Sequence, residues 1–173
     1  RDRLMPPPRL IWDQITDDQA AKEAVMAYGE RYKAFLDEAK TERQAASAIV
    51  RMAGERGFVD LLSGTPGDRT YYNFKGKTIV LTVKGRRPLS AGLRIVASHI
   101  DSPRLDLKQN PLYEDTDLVF LKTHYYGGIK KYQWLARPLA IHGVILKADG
   151  SRVDIKVGED PGDPVFTVLD LLP

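Results

Sequence analysis

His99 and Asp101 are the two residues from which a chemical reading of this sequence starts. The 173 residues contain three histidines, His99, His124 and His142, and no cysteine. A metal held here takes nitrogen and oxygen ligands, and a disulfide scaffold, a thiolate zinc site, an iron–sulfur cluster and a cysteine nucleophile are excluded together. His99 closes the apolar run 93–97, and Asp101 follows two residues later, on the same side if the run is a strand. An imidazole that binds metal through one nitrogen needs its other N–H held by an acceptor. A carboxylate in that place fixes the tautomer and raises the basicity of the ring. His-x-Asp has the residue types and the spacing for such a pair; the alternative is a strand-end histidine making an ordinary side-chain hydrogen bond.

The elements that position this pair can be read from periodicity. Residues 1–15 form an arm with Pro6-Pro7-Pro8 ahead of Ile11, Trp12 and Ile15. Thr16 with Gln19 makes a capping box, and Val25, Tyr28, Tyr32, Phe35 and Leu36 recur at helical spacing up to about Lys40. A second box, Thr41 with Gln44, opens a helix through Ala45, Ala48, Ile49 and Met52 that stops near Gly54 or Gly57. Beyond Gly64-Thr65-Pro66-Gly67 the pattern changes to strands at 71–74, 77–84 and 93–99, then at 117–125, 139–147 and 152–157. The last two are joined by Ala148-Asp149-Gly150, which suits a tight hairpin. The stretch 109–111 interrupts the pattern and places a domain crossing near 105–115. The closing run 164–173 is apolar with no polar cap after it, which suggests a continuation.

Composition is that of an ordinary globular chain, 43% apolar and 28% charged. Lys and Arg total 26 and Asp and Glu 23, dispersed along the sequence, so a polyanion-binding tail is unsupported. No stretch approaches the roughly 18 consecutive apolar residues of a membrane helix, and the start lacks the apolar core of a secretory signal. A soluble, cytoplasmic protein is the default expectation.

The string Ser-His-Ile-Asp-Ser-Pro-Arg-Leu, 98–105, resembles the first metal-ligand motif of the M18 family of zinc aminopeptidases, the family of aspartyl aminopeptidase. The resemblance continues in order through the helix bearing 32–40, the segment 57–61, Tyr126-Gly127-Gly128, and Trp134 with Arg137. It implies an α/β architecture: N-terminal helices plus the mixed sheet of a zinc-peptidase catalytic domain, followed by part of a β-rich dimerisation domain. Residues 1–107 would belong to the first and 108–173 to the second. It also implies a metal-dependent aminopeptidase that acts on peptides through a two-zinc activated water, with Co2+ or Mn2+ as alternative metals. His99 would ligate one zinc, and the catalytic assignment falls on Asp101 as the residue that orients it. A homo-oligomer is implied, a dimer or a larger particle up to a dodecamer, with the arm at 6–15 a candidate subunit contact.

Two departures from the family pattern narrow this. Residues 132–139 read Tyr-Gln-Trp-Leu-Ala-Arg-Pro-Leu, so the histidine that the aspartyl branch places at position 132 is replaced by tyrosine. The sequence is more similar to the bacterial aminopeptidase 1 branch, and a preference for acidic N-terminal residues is not carried over. The bridging aspartate, the glutamate base with its adjacent glutamate ligand, a further aspartate and the last histidine come later in the family's longer chain. The expectation is therefore an N-terminal portion that supplies one ligand and is inactive alone. The alternative is a truncated, non-catalytic binding or assembly chain of the same fold.

His124, on a strand leading into the two glycines, is a candidate substrate contact, with a surface or interface position as the other reading. His142, in an apolar strand, reads as structural. Gly76-Lys77-Thr78 ends like a phosphate-binding loop, but Tyr71 stands where the loop needs glycine and the segment joins strand to strand. The basic groups at 84–87 and 130–131, near Tyr125, Tyr126, Tyr132 and Trp134, are better explained as a solvated loop and an assembly surface than as a nucleic-acid site. There is no Gly-x-Ser-x-Gly elbow for a serine triad.

Overall fold

The helices begin where a side chain can take up their free N–H groups. The structure, a computed structural model, describes residues 10–65 and 67–169; residues 6–8 of the arm and 170–173 of the closing run lie outside them. A single turn, α1 (Ile11–Gln14), precedes α2 (Gln19–Glu38). The cap of α2 is Asp18, whose carboxylate accepts from the Ala21 amide at 2.8 Å, and not Thr16 as the box predicts. Thr16 instead donates its hydroxyl to the Trp12 carbonyl at 2.9 Å, closing the turn before it, and aspartate is at least as good a cap as threonine. α3 (Glu42–Gly54) starts as expected, with the Thr41 hydroxyl accepting from the Gln44 amide at 3.3 Å.

The chain divides into two compact units, one up to Ala39 and one from Lys40 on. The first carries α1 and α2. The second carries α3 and all the strands.

In the second unit β1 (Val59–Asp60), β2 (Arg69–Phe74) and β3 (Thr78–Val83) form a mixed sheet in that order, β1 parallel to β2 and β2 antiparallel to β3. The turn between β2 and β3 uses two successive positive φ values, 55° at Lys75 and 68° at Gly76. α3 packs on β2 and β3. Its buried residues are Ala45, Ala46, Ala48 and Ala53, side chains small enough to bring the helix backbone close to the sheet.

Two hairpins follow. β4 (Arg104–Asp115) pairs antiparallel with β5 (Leu118–Tyr126) around Thr116 and Asp117, both at positive φ. β6 (Ile141–Leu146) pairs with β7 (Arg152–Val157), and Gly150 at φ 82° closes that turn as the Asp-Gly signal predicts. Leu139 bridges Phe166 and Leu135 bridges Val168, tying the end of the described chain back to the segment before β6.

Two strand expectations change. Residues 109–111 do not interrupt the sheet, because β4 runs through them; residues 108–111 stand against Lys122 alone in a large bulge, and Pro111, which has no N–H to donate, sits there at no loss. The boundary expected at 107/108 thus falls within β4. Residues 93–99, expected as a strand, carry no ladder: Ile95 is 81% and Val96 99% exposed. The composition suits a strand, but a strand exists only where a neighbour takes its N–H and C=O groups. None among the described residues does so.

Candidate metal centre

The motif residues 98–103 lie immediately before β4, and the β4–β5 register sets Arg104 opposite Tyr126. The end of β5 is thereby brought beside the motif. At Gly127 the chain turns at φ 75° next to Pro103, a backbone conformation that glycine adopts without strain.

Asp101 holds the imidazole of His99. Nδ1 of His99 lies 3.0 Å from Asp101 Oδ1 and 3.1 Å from the Asp101 carbonyl oxygen. Both partners are acceptors, so Nδ1 carries the hydrogen and Nε2 is left with its lone pair when the ring is neutral. The His99 side chain is 83% exposed, so Nε2 is open to an incoming ligand. The Tyr126 hydroxyl, then the Asp101 backbone amide and His99, hold the Asp101 carboxyl below its usual range. The Tyr126 hydroxyl is pushed up in turn by the same Asp101 carboxylate, which favours its protonated form and opposes a second negative charge beside it.

Arg104 braces the same corner. Its guanidinium reaches Glu42 in the first turn of α3 at 3.0 Å and Asp106 at 2.7 Å, and lies 4.1 Å from the centre of the Tyr126 ring. Desolvation works against its charge, but Asp106 and Glu42 outweigh it and raise the pKa. His99, Asp101, Tyr126, Glu42 and the start of β3 line an open cleft of about 380 Å³. His124 does not line it; it stands opposite Asp106 with its ring 5.3 Å from that of Tyr125. His142 is elsewhere, its side chain 8% exposed, between the Gln44 amide at 2.8 Å and Glu159 at 3.0 Å.

The donor set fits one corner of a zinc site. A partnered Nδ1 and an open Nε2 are what a histidine ligand needs. A catalytic zinc takes about three protein ligands, and among the described residues no group of three or more His, Cys, Asp or Glu could hold a metal ion. Sequence reasoning gave no role at this site to Arg104 or Glu42, saw Gln44 only as a helix cap, and saw Tyr126 only in the Tyr-Gly-Gly triplet and among the aromatics near the basic groups. Arg104 lies inside the motif, which was the available signal. The partners of the other three depend on contacts far apart in the chain.

Comparison with known proteins points to one family. The family model described as aminopeptidase I zinc metalloprotease (M18) matches residues 35–173. A probable M18 family aminopeptidase 1 of Clostridium acetobutylicum is 52% identical over 168 residues, which cover 93% of this chain and 36% of that protein. The crystal structure of aminopeptidase I from Borrelia burgdorferi superposes with a TM-score of 0.83 at 38% identity, over 89% of this chain and 39% of that one. An M18 aminopeptidase structure from Thermotoga maritima gives 0.79 at 49% identity, over 88% and 34%. The chain spans about a third of the length of the curated relatives it matches.

Proposed function

The chain belongs to the aminopeptidase I zinc metalloprotease (M18) family, and from that premise we propose that it forms part of a metal-dependent aminopeptidase that removes N-terminal residues from peptides. The observation that carries the reading is the His99–Asp101 pair, 3.0 Å apart, with Nε2 open. His99 is the residue of this chain that would hold zinc, one of two ions in the complete site, with cobalt or manganese as substitutes. Zinc there supplies Lewis acidity for hydrolysis of the peptide bond. Asp101 keeps the imidazole in the Nδ1–H tautomer, and Tyr126, its own backbone amide and His99 favour its ionised form. Tyr126 keeps Asp101 turned toward His99. By themselves the 173 residues, with one imidazole at this corner, are expected to be inactive.

The whole protein is read as a cytoplasmic homo-oligomer. No helix among the described residues is long and apolar enough to cross a membrane. His124 is assigned a substrate contact.

Hydrolysis of aminoacyl p-nitroanilides by the whole protein, before and after chelation, tests the reading. Activity should be abolished by chelator and restored by zinc, and His124→Ala should raise KM with little change in kcat. Hydrolysis that survives exhaustive chelation would contradict it. A second reading, a non-catalytic binding or assembly chain, is favoured by the lack of a three-ligand cluster among the described residues. It predicts no hydrolysis in either state.

A further inference from the structure

We propose that Arg104 is a positioning residue for the metal-binding imidazole: its guanidinium, laid over the Tyr126 ring and tied to Glu42, Asp106 and the Ser102 carbonyl, fixes the loop that presents His99 and Asp101. The proposal rests on the assignment of His99 as a zinc ligand.

The loop 98–103 has no strand partner of its own, so something else must hold it. Arg104 is the first residue of β4 and is three-quarters buried, its side chain 24% exposed. All three nitrogens and one face of its planar head are engaged. One terminal nitrogen meets Glu42 at 3.0 Å, Nε meets Asp106 at 2.7 Å, the other terminal nitrogen reaches the Ser102 carbonyl at 3.4 Å, and the face lies on Tyr126 at 4.1 Å. These contacts join α3, β4, β5 and the loop at one point.

An ion pair on an open surface contributes little to stability, and stability alone would not require a head gripped on both edges and one face. The arrangement does determine direction. Glu42 fixes Arg104, Arg104 fixes the Tyr126 ring and the Ser102 carbonyl beside Asp101, Tyr126 lines the same cleft as Asp101, and Asp101 holds Nδ1 of His99. A planar fork that also stacks is available to arginine and not to lysine.

The test uses the zinc-loaded whole protein and its Arg104→Lys, Tyr126→Phe, Asp101→Ala and Arg104→Lys/Asp101→Ala variants. The readouts are the first-order release of zinc to a chromogenic chelator, together with kcat and KM. Arg104→Lys is expected to accelerate release about 10-fold, the size seen when a group behind a metal ligand is lost, and to lower kcat more than it raises KM. In the Asp101→Ala background the same change should add nothing further, because it acts through Asp101. Tyr126→Phe keeps the stacked ring and loses the hydroxyl, so it should accelerate release by less. Release within about two-fold of wild type in both single variants overturns the proposal, as does an equal acceleration with and without Asp101. If Arg104→Lys fails to fold, Tyr126→Phe with and without Asp101→Ala makes the same comparison: acceleration that vanishes without Asp101 supports the proposal, and none, or an equal one, overturns it. Failure of the underlying assignment is separately visible: His99→Ala with wild-type zinc content would overturn both.

Discussion

Asp101 and His99 are two residues apart in the loop before β4, a proximity that sequence spacing makes readable. What spacing could not reveal is the hold on Asp101. Its carboxyl lies below the ordinary aspartate value of 3.8, first through Tyr126 and then through its own backbone and His99. The group therefore remains an anion wherever imidazole is neutral enough to bind metal. Asp101→Ala is predicted to weaken zinc binding or lower kcat/KM by roughly 10- to 100-fold, checked by competition with a chelator of known affinity; an unchanged affinity and rate would count against the orienting role. Asp101→Asn keeps an acceptor and loses the charge, so it should fall between wild type and alanine. Tyr126 escapes a sequence reading because of the bulge at 108–111. Counted back from the turn at 116–117 without that bulge, the β4–β5 register would set another residue opposite Arg104.

Element by element, the sequence was most legible where one local signal decides the outcome. Thr41 with Gln44 starts α3, and the Asp149-Gly150 pair closes the β6–β7 turn. At Thr16 two local signals competed, and Asp18 prevailed two residues later. Residues 93–99 illustrate the opposite limit, since β-branched composition cannot supply a partner strand. In α3 the decisive feature is size. Ala48 is 0% exposed in a helix that packs on β2 and β3. Ala48→Leu adds three carbons there and should destabilise the whole protein by about 1–3 kcal/mol, read as a lowered midpoint in denaturant. An unchanged midpoint would mean that the helix stands off the strands.

At the scale of the whole molecule, α3 is tied at two places to strands distant in sequence. Its first turn meets Arg104 through Glu42, and Gln44 meets His142 of β6, whose other nitrogen reaches Glu159 beside Lys40. His142 was readable as structural, but its partners were not, because Gln44 lies far back in the chain. At Glu159 burial raises the pKa, while Lys40 and His142 pull it down further, so the net value lies below the ordinary 4.5. A depressed carboxylate stabilises the fold above the unfolded pKa and loses that contribution as pH falls through the folded value. Glu159→Gln is therefore expected to cost about 1 kcal/mol at pH 7 and to become indistinguishable from wild type well below pH 4.5. Equal losses at both pH values would contradict the linkage. The exposed apolar residues Leu93, Ile95 and Val96 have the composition of a covered strand, and each would gain about 1.5–3 kcal/mol on full burial.

Metal counting decides whether His99 is a zinc ligand of the whole M18 protein. Zinc per subunit should be measured by mass spectrometry in the purified whole protein and in His99→Ala, both dialysed against the same weak chelator. Two zinc ions per subunit are expected in the wild type and about one fewer in the variant, with a melting curve showing that the variant is folded. Two zinc ions retained at wild-type affinity in folded His99→Ala would contradict that role.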